Sequence, residues 1–163
     1  MQNVKIKMQP VSPMASRGGN DNVKFKIFQA DATKYDFAEF DRDFVIVSEP
    51  YLGRPRNHKL TIEEEKEAAA EISKLYLDFL QNLRLTGLRP ARKCYTSSVA
   101  GGLKSICLVF PLYELKNGKK LSIFDRCIDF IRQIGYTLVC PPLEYGRDYQ
   151  VVKRQVVLLK IKI

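Results

Sequence analysis

Asp43-Phe44-Val45-Ile46-Val47-Ser48-Glu49-Pro50-Tyr51-Leu52-Gly53-Arg54-Pro55-Arg56 is the stretch on which the reading of this chain turns. It opens as a short apolar run of β-branched and aromatic residues, the composition of a strand buried on both faces. The run stops at Pro50, and Gly53 and Pro55 follow closely, so a strand ends abruptly in a shaped loop. In an open α/β sheet, ligands bind just outside the carboxyl ends of the strands. Chemistry is therefore expected at this loop.

Downstream, Thr61-Ile62-Glu63-Glu64 fits a capping box, in which the Thr hydroxyl takes a helix amide and Glu64 reaches back. Ile62, Ala69, Ile72, Leu75, Tyr76, Phe79, Leu80 and Leu83 then keep helical spacing as far as Gly87. The segment from Leu88 to Ala100 is ambiguous, with room for a short strand over Ala91 to Thr96, and Gly101-Gly102 marks a turn. Ser105 to Phe110 is a second buried-strand run, which Pro111 is expected to end. Lys116 to Lys119 reads as a loop. Ser122-Ile123-Phe124-Asp125 caps another helix, with Phe124, Cys127, Ile128, Ile131 and Ile134 toward a core and Gly135 as its stop. Tyr136 to Val139 and Gln155 to Ile163 look like strands joined by a loop holding Pro141, Pro142 and Gly146.

Upstream, Val23 to Phe28 alternates strictly and reads as a strand. It runs into the small turn Gln29-Ala30-Asp31-Ala32-Thr33 and an acidic connector (Asp36, Glu39, Asp41, Asp43). Residues 1–22 form a poorly defined N-terminal segment: Val4 to Met8 reads as a short strand or the tail of a helix, and Pro10, Pro13 and Gly18-Gly19 as loop. Strand, strand, helix, strand, helix, strand, strand predicts an α/β fold with a mainly parallel sheet. The closing pair, lacking a helix between them, predicts an antiparallel hairpin at one edge.

The bulk numbers set limits. The chain of 163 residues suits one domain, and 45% hydrophobic with 28% charged residues is ordinary for a globular protein. No apolar run approaches the ~20 residues that span a bilayer, and the N-terminus lacks a signal-peptide core. The expectation is a cytoplasmic protein with no membrane partner. Four scattered cysteines and the single His58 offer neither a disulfide framework nor metal-ligand spacing, so no metal is expected. A net charge of +9, with basic clusters at Arg54–Lys59, Arg84–Lys93 and Lys116–Lys120, suits a polyanionic partner such as nucleic acid. It equally suits a basic solvated surface.

Ser48-Glu49-Pro50-Tyr51 resembles the Asp/Asn/Ser-Pro-Pro-aromatic loop of methyltransferases that act on exocyclic amino groups of bases. The fuller Ser-Glu-Pro-Tyr-Leu-Gly is similar to a Thr-Glu-Pro-Tyr-Leu-Gly variant of RNA methylases of the THUMP-linked, tRNA guanine-N2 type. The resemblance runs from about Phe25 to the C-terminus. It implies that residues 23–163 are the C-terminal portion of a Rossmann-like methyltransferase domain whose last two strands form a hairpin. The first strands, with the family's glycine-rich turn and ribose-holding acid, are not recognisable before Val23. A partner subunit or a preceding region would then complete the cofactor pocket.

The resemblance also implies roles. Ser48 or Glu49 contacts the target amine, Pro50 fixes the loop and removes a competing donor, and Tyr51 stacks on a base taken out of its helix. Ser48 stands where the family usually has an acid or amide, and Glu49 where it has a proline. Asp31 and Ala32 match the segment that receives the adenine amino group of S-adenosylmethionine. Arg54, Arg56 and Lys59, just past the loop, are placed for the phosphates of RNA, tRNA above all. Each motif has a plainer reading beside it: Glu-Pro-Tyr as an ordinary strand exit, and Asp31 as the cap of its own turn. The different-class alternative is a non-catalytic, basic nucleic-acid-binding domain.

Overall fold

The computed structural model describes residues 7–8, 26–27, 29–40, 43–54, 59, 61–87 and 102–162. The strand expected over Ala91 to Thr96, most of the N-terminal segment, His58 and Arg56 lie outside these residues. Two short strands, β1 (Lys7–Met8) and β2 (Lys26–Ile27), pair antiparallel in a ladder of their own. The alternating run ending at Phe28 therefore contributes strand to this ladder and not to the main sheet. Alternation identifies a strand but carries no information about its partner.

The main sheet is built from β3 (Phe44–Ser48), β4 (Leu103–Glu114), β5 (Lys120–Ser122), β6 (Tyr136–Leu138), β7 (Leu143–Tyr145) and β8 (Val152–Ile161). Its path is β3-β4-β8-β6, with β5 on β4 and β7 on β8. The chain is α/β, but the expected mainly parallel pairing is corrected: β3 with β4 is parallel, and every other pair in this sheet is antiparallel. The cause is the position of β8. It returns from β6 through β7 without a helix and enters between β4 and β6, running against both. The closing antiparallel pair is present, yet β8 is interior to the sheet rather than an edge.

Pro111 does not end β4, which continues to Glu114. Its pairing with β3 stops at Leu108 and that with β5 starts at Leu112. A residue with no amide donor therefore sits where one flank of β4 has no neighbour.

Helices α1 (Ile62–Thr86) and α2 (Ile123–Gln133) begin as the sequence predicts. Thr61 accepts from the Glu64 amide while Glu64 reaches back to the Thr61 amide, and Ser122 accepts from the Asp125 amide. Gly135, at φ +91°, follows α2 in a conformation a side chain would strain. Both helices lie on one face of the sheet. There Phe110 of β4 is wedged between Tyr76 of α1 (centroids 4.4 Å apart) and Phe124 of α2 (5.4 Å). Ile72, Leu80, Leu83, Ile106, Leu108, Val157 and Leu159 are sealed into the same core.

The other face is open. Burial of β3 on both sides is corrected: only Ile46 is buried, while Val45 is 40% and Val47 73% exposed. With α1 and α2 both on one side, no helix among those described covers the second, and only at the Tyr113 end of β4, beneath the loop at Leu52, are residues of this alternation buried.

Candidate functional site

The parallel pair β3 and β4 points its carboxyl ends the same way, and the expected loop lies at that end. Alternation along β3 divides the candidate residues between the two faces. Ser48 follows Ile46 to the helix side, where Ser48 and Pro50 line a cleft with Ala32, Thr33, Leu75, Tyr76 and Phe79. Glu49 follows Val45 and Val47 to the open side, where its carboxylate accepts from Arg154 Nε at 2.6 Å. The neighbours Ser48 and Glu49 therefore have different surroundings, and Glu49, ion-paired with Arg154, is not among the residues that line the cleft.

The loop is shaped by close packing. Tyr113, buried, donates to the Leu52 carbonyl at 2.6 Å. Gly53 has φ +97°, and a Cβ there would overlap the Tyr113 hydroxyl and crowd Ile72. Only glycine meets both demands. Behind the cleft, Tyr76 donates to the Val109 carbonyl at 2.6 Å, and burial pushes its phenol far above the ordinary range. Tyr76 is thus a neutral wall and hydrogen-bond donor, unsuited to act as a base. Tyr51, one residue past Pro50, is half-buried and is not among the lining residues.

Ala32 and Thr33 form the opposite wall, and their turn is clipped to α1. Asn82 donates its amide hydrogens to the carbonyls of Ala32 (3.1 Å) and Tyr35 (2.8 Å). Thr86, whose hydroxyl donates to the Asn82 carbonyl, accepts from the Phe37 amide at 3.2 Å. Asp31 caps its own turn, taking the amide and hydroxyl of Thr33 at 3.0 and 2.7 Å. Those two bonds hold its carboxyl below the usual range, so it is an ionised acceptor. One carboxylate oxygen is committed to Thr33 and the other is 3.7 Å from Lys34.

The basic residues are more dispersed. Arg54 is exposed. Lys59 is ion-paired with Glu114 and holds that carboxyl below its usual range, while Lys120 pairs with Glu144 at 2.6 Å. Among the described residues, no group of three or more His, Cys, Asp or Glu is arranged to hold a metal ion, and no helix is long and apolar enough to cross a membrane. Neither Asn82 nor Arg154 was visible as a site residue. Asn82 sits within a helical pattern whose polar positions look alike, and Arg154 meets Glu49 across 105 residues of sequence.

The cleft as it stands encloses about 20 Å³, room for about one water. A nucleoside does not fit into it without further walls or an opening. Its lining is nearly all apolar carbon with the hydroxyls of Ser48 and Thr33 as polar points, which suits a flat ring held by stacking and a few hydrogen bonds. Comparison with known proteins finds no match: no family model matches the chain, and no curated protein or solved structure matches it.

Proposed function

We propose that the chain takes part in S-adenosylmethionine-dependent methyl transfer to an exocyclic amino group of a nucleic-acid base, with guanine N2 in tRNA as the favoured target. One observation carries the reading. Residues from the two segments singled out separately for cofactor and catalysis, Ala32 with its neighbour Thr33 and Ser48 with Pro50, line one cleft at the carboxyl end of the parallel pair, while Asp31, Glu49 and Tyr51 are not part of its lining. The closing antiparallel pair of β6 and β8 is further support for a Rossmann-like methyltransferase sheet.

The cofactor supplies an electrophilic methyl group; the chain supplies position. Ser48 Oγ and the Glu49 carbonyl accept from the amine and orient its lone pair, and Tyr51 stacks on the base. Asp31 retains acceptor capacity for the adenine amino group, since a carboxylate offers about four lone-pair sites. Arg54, Arg56 and Lys59 meet phosphate. Residues outside those described, or a partner subunit, furnish the remaining walls of the cofactor pocket.

The narrow cleft and the Asp31 carboxylate already engaged by Thr33 favour a second reading, a basic nucleic-acid-binding domain without catalysis. Calorimetric titration with S-adenosylmethionine, followed by methyl transfer to tRNA by Tyr51→Ala, separates them. The enzyme reading expects saturable cofactor binding and loss of transfer in the variant. A folded chain that binds tRNA but no cofactor leaves the second reading.

A further inference from the structure

We propose that the open face of the sheet is a self-association surface, on which two copies of this chain pack face to face about a two-fold axis running along β4. This goes beyond the methyl-transfer reading and does not depend on it.

The strand registers make the face continuous. Val47 lies beside Cys107 and Cys107 beside Leu158, while Val109 lies beside Val156 and Val156 beside Leu143. Val47 is 73% and Leu143 67% exposed, and the central four are half-buried with no helix over them. Exposed apolar rows of this kind mark an interaction surface.

Among the described residues, the chain's other surfaces are too charged to serve as the cover. The outward side of α1 carries Glu63, Lys66, Glu67, Glu71 and Lys74, and that of α2 carries Asp125, Arg126, Asp129 and Arg132. Among the described residues, the surface that matches the open face in extent and polarity is the same face of a second copy. A two-fold axis needs such a self-complementary patch, and sheets stack well at about 10 Å with strands roughly aligned.

Charge selects the orientation. The β3 side of the face ends in acids, Glu49 and Asp43, the latter paired with Lys104 at 3.2 Å, and the β8 side carries Arg154 and Lys160. A two-fold axis along β4 lays the β3 of each copy over the β8 of the other, acidic side on basic side. The two Glu49–Arg154 pairs then meet in one network, and Cys107 faces Cys107 of the second copy across the axis. The patch is small, a few strands about 4.8 Å apart and some five residues deep, at the low end of interface sizes, so the dimer is weak and concentration-dependent.

Sedimentation velocity of the 163-residue chain from about 1 to about 200 μM tests this through mass action. The expected result is a reversible monomer–dimer transition. Val47→Asp, at an exposed position that faces β8 of the second copy, checked for folding by circular dichroism, should weaken the dimer about tenfold or more, whereas Leu143→Asp on β7, which lies beyond the edge strand of the second copy, should change it little. A short bis-maleimide should join Cys107 to Cys107 between copies, located by peptide mapping. A monomer up to ~200 μM overturns the proposal, including one whose face proves to take a different polypeptide. So does a dimer that Val47→Asp does not weaken.

Discussion

β3 is only five residues long, yet its two faces are chemically unlike. On the helix-covered face, Ile46 and Ser48 meet Tyr76 and Phe79 of α1, and the strand contributes to a sealed core and a cleft. On the open face, Val45, Val47 and Glu49 meet solvent and Arg154. One apolar run therefore meets two surroundings in alternation, and neighbouring residues of a single stretch fall on different sides of the sheet. A motif at a strand end is best read two residues at a time, because the pleat decides which side chains share a site.

The contrast should be sharpest in stability. Phe110→Ala removes a fully buried ring between Tyr76 and Phe124, and should cost about 3–5 kcal/mol in urea unfolding. Val47→Thr on the open face, measured at a concentration where the chain is monomeric, should stay within about 0.5 kcal/mol; equal costs would mean that the chain itself covers that face. Next in size is Gly53→Ala, which forces a side chain into a left-handed backbone against Tyr113. It should lose about 1–3 kcal/mol and weaken ligand binding at the cleft.

Alkaline pH separates the faces differently. Tyr35, whose phenol is pushed up to about 12 by burial and Glu39, stands with Tyr76 and Tyr136, both raised by burial, on the covered side. Each is neutral when folded at a pH where the unfolded phenol, near 10, has already ionised. The unfolded state then holds fewer protons, so stability is intact below about pH 10 and falls between about 10 and 12. Denaturation midpoints across that window should drop; a flat profile would deny the burial. Smallest is Arg154→Met, which breaks the part-exposed pair with Glu49 and should change stability by at most about 1 kcal/mol, leaving cofactor binding intact.

What the sequence made legible was local. The Thr61 and Ser122 caps, the Gly135 stop and the tight loop after Pro50 each depend on residues a few positions apart, and each is present. What it hid was non-local: β8 entering between β4 and β6, Lys26–Ile27 pairing with Lys7–Met8, and Asn82 fastening the Ala32 turn. The valines of β3 misled because composition reports apolarity without reporting whether a layer exists to cover it. Pro111 misled because a break in donors matters only where a neighbouring strand would receive them.

The most direct test of the two-faced account is a nuclear magnetic resonance titration of the isotope-labelled chain with S-adenosylmethionine. The account predicts shifts concentrated at Ala32, Thr33, Ser48 and Tyr51, with Val45 and Leu143 on the open face unmoved. Shifts centred on the open face, or none at all from a folded chain, would contradict it.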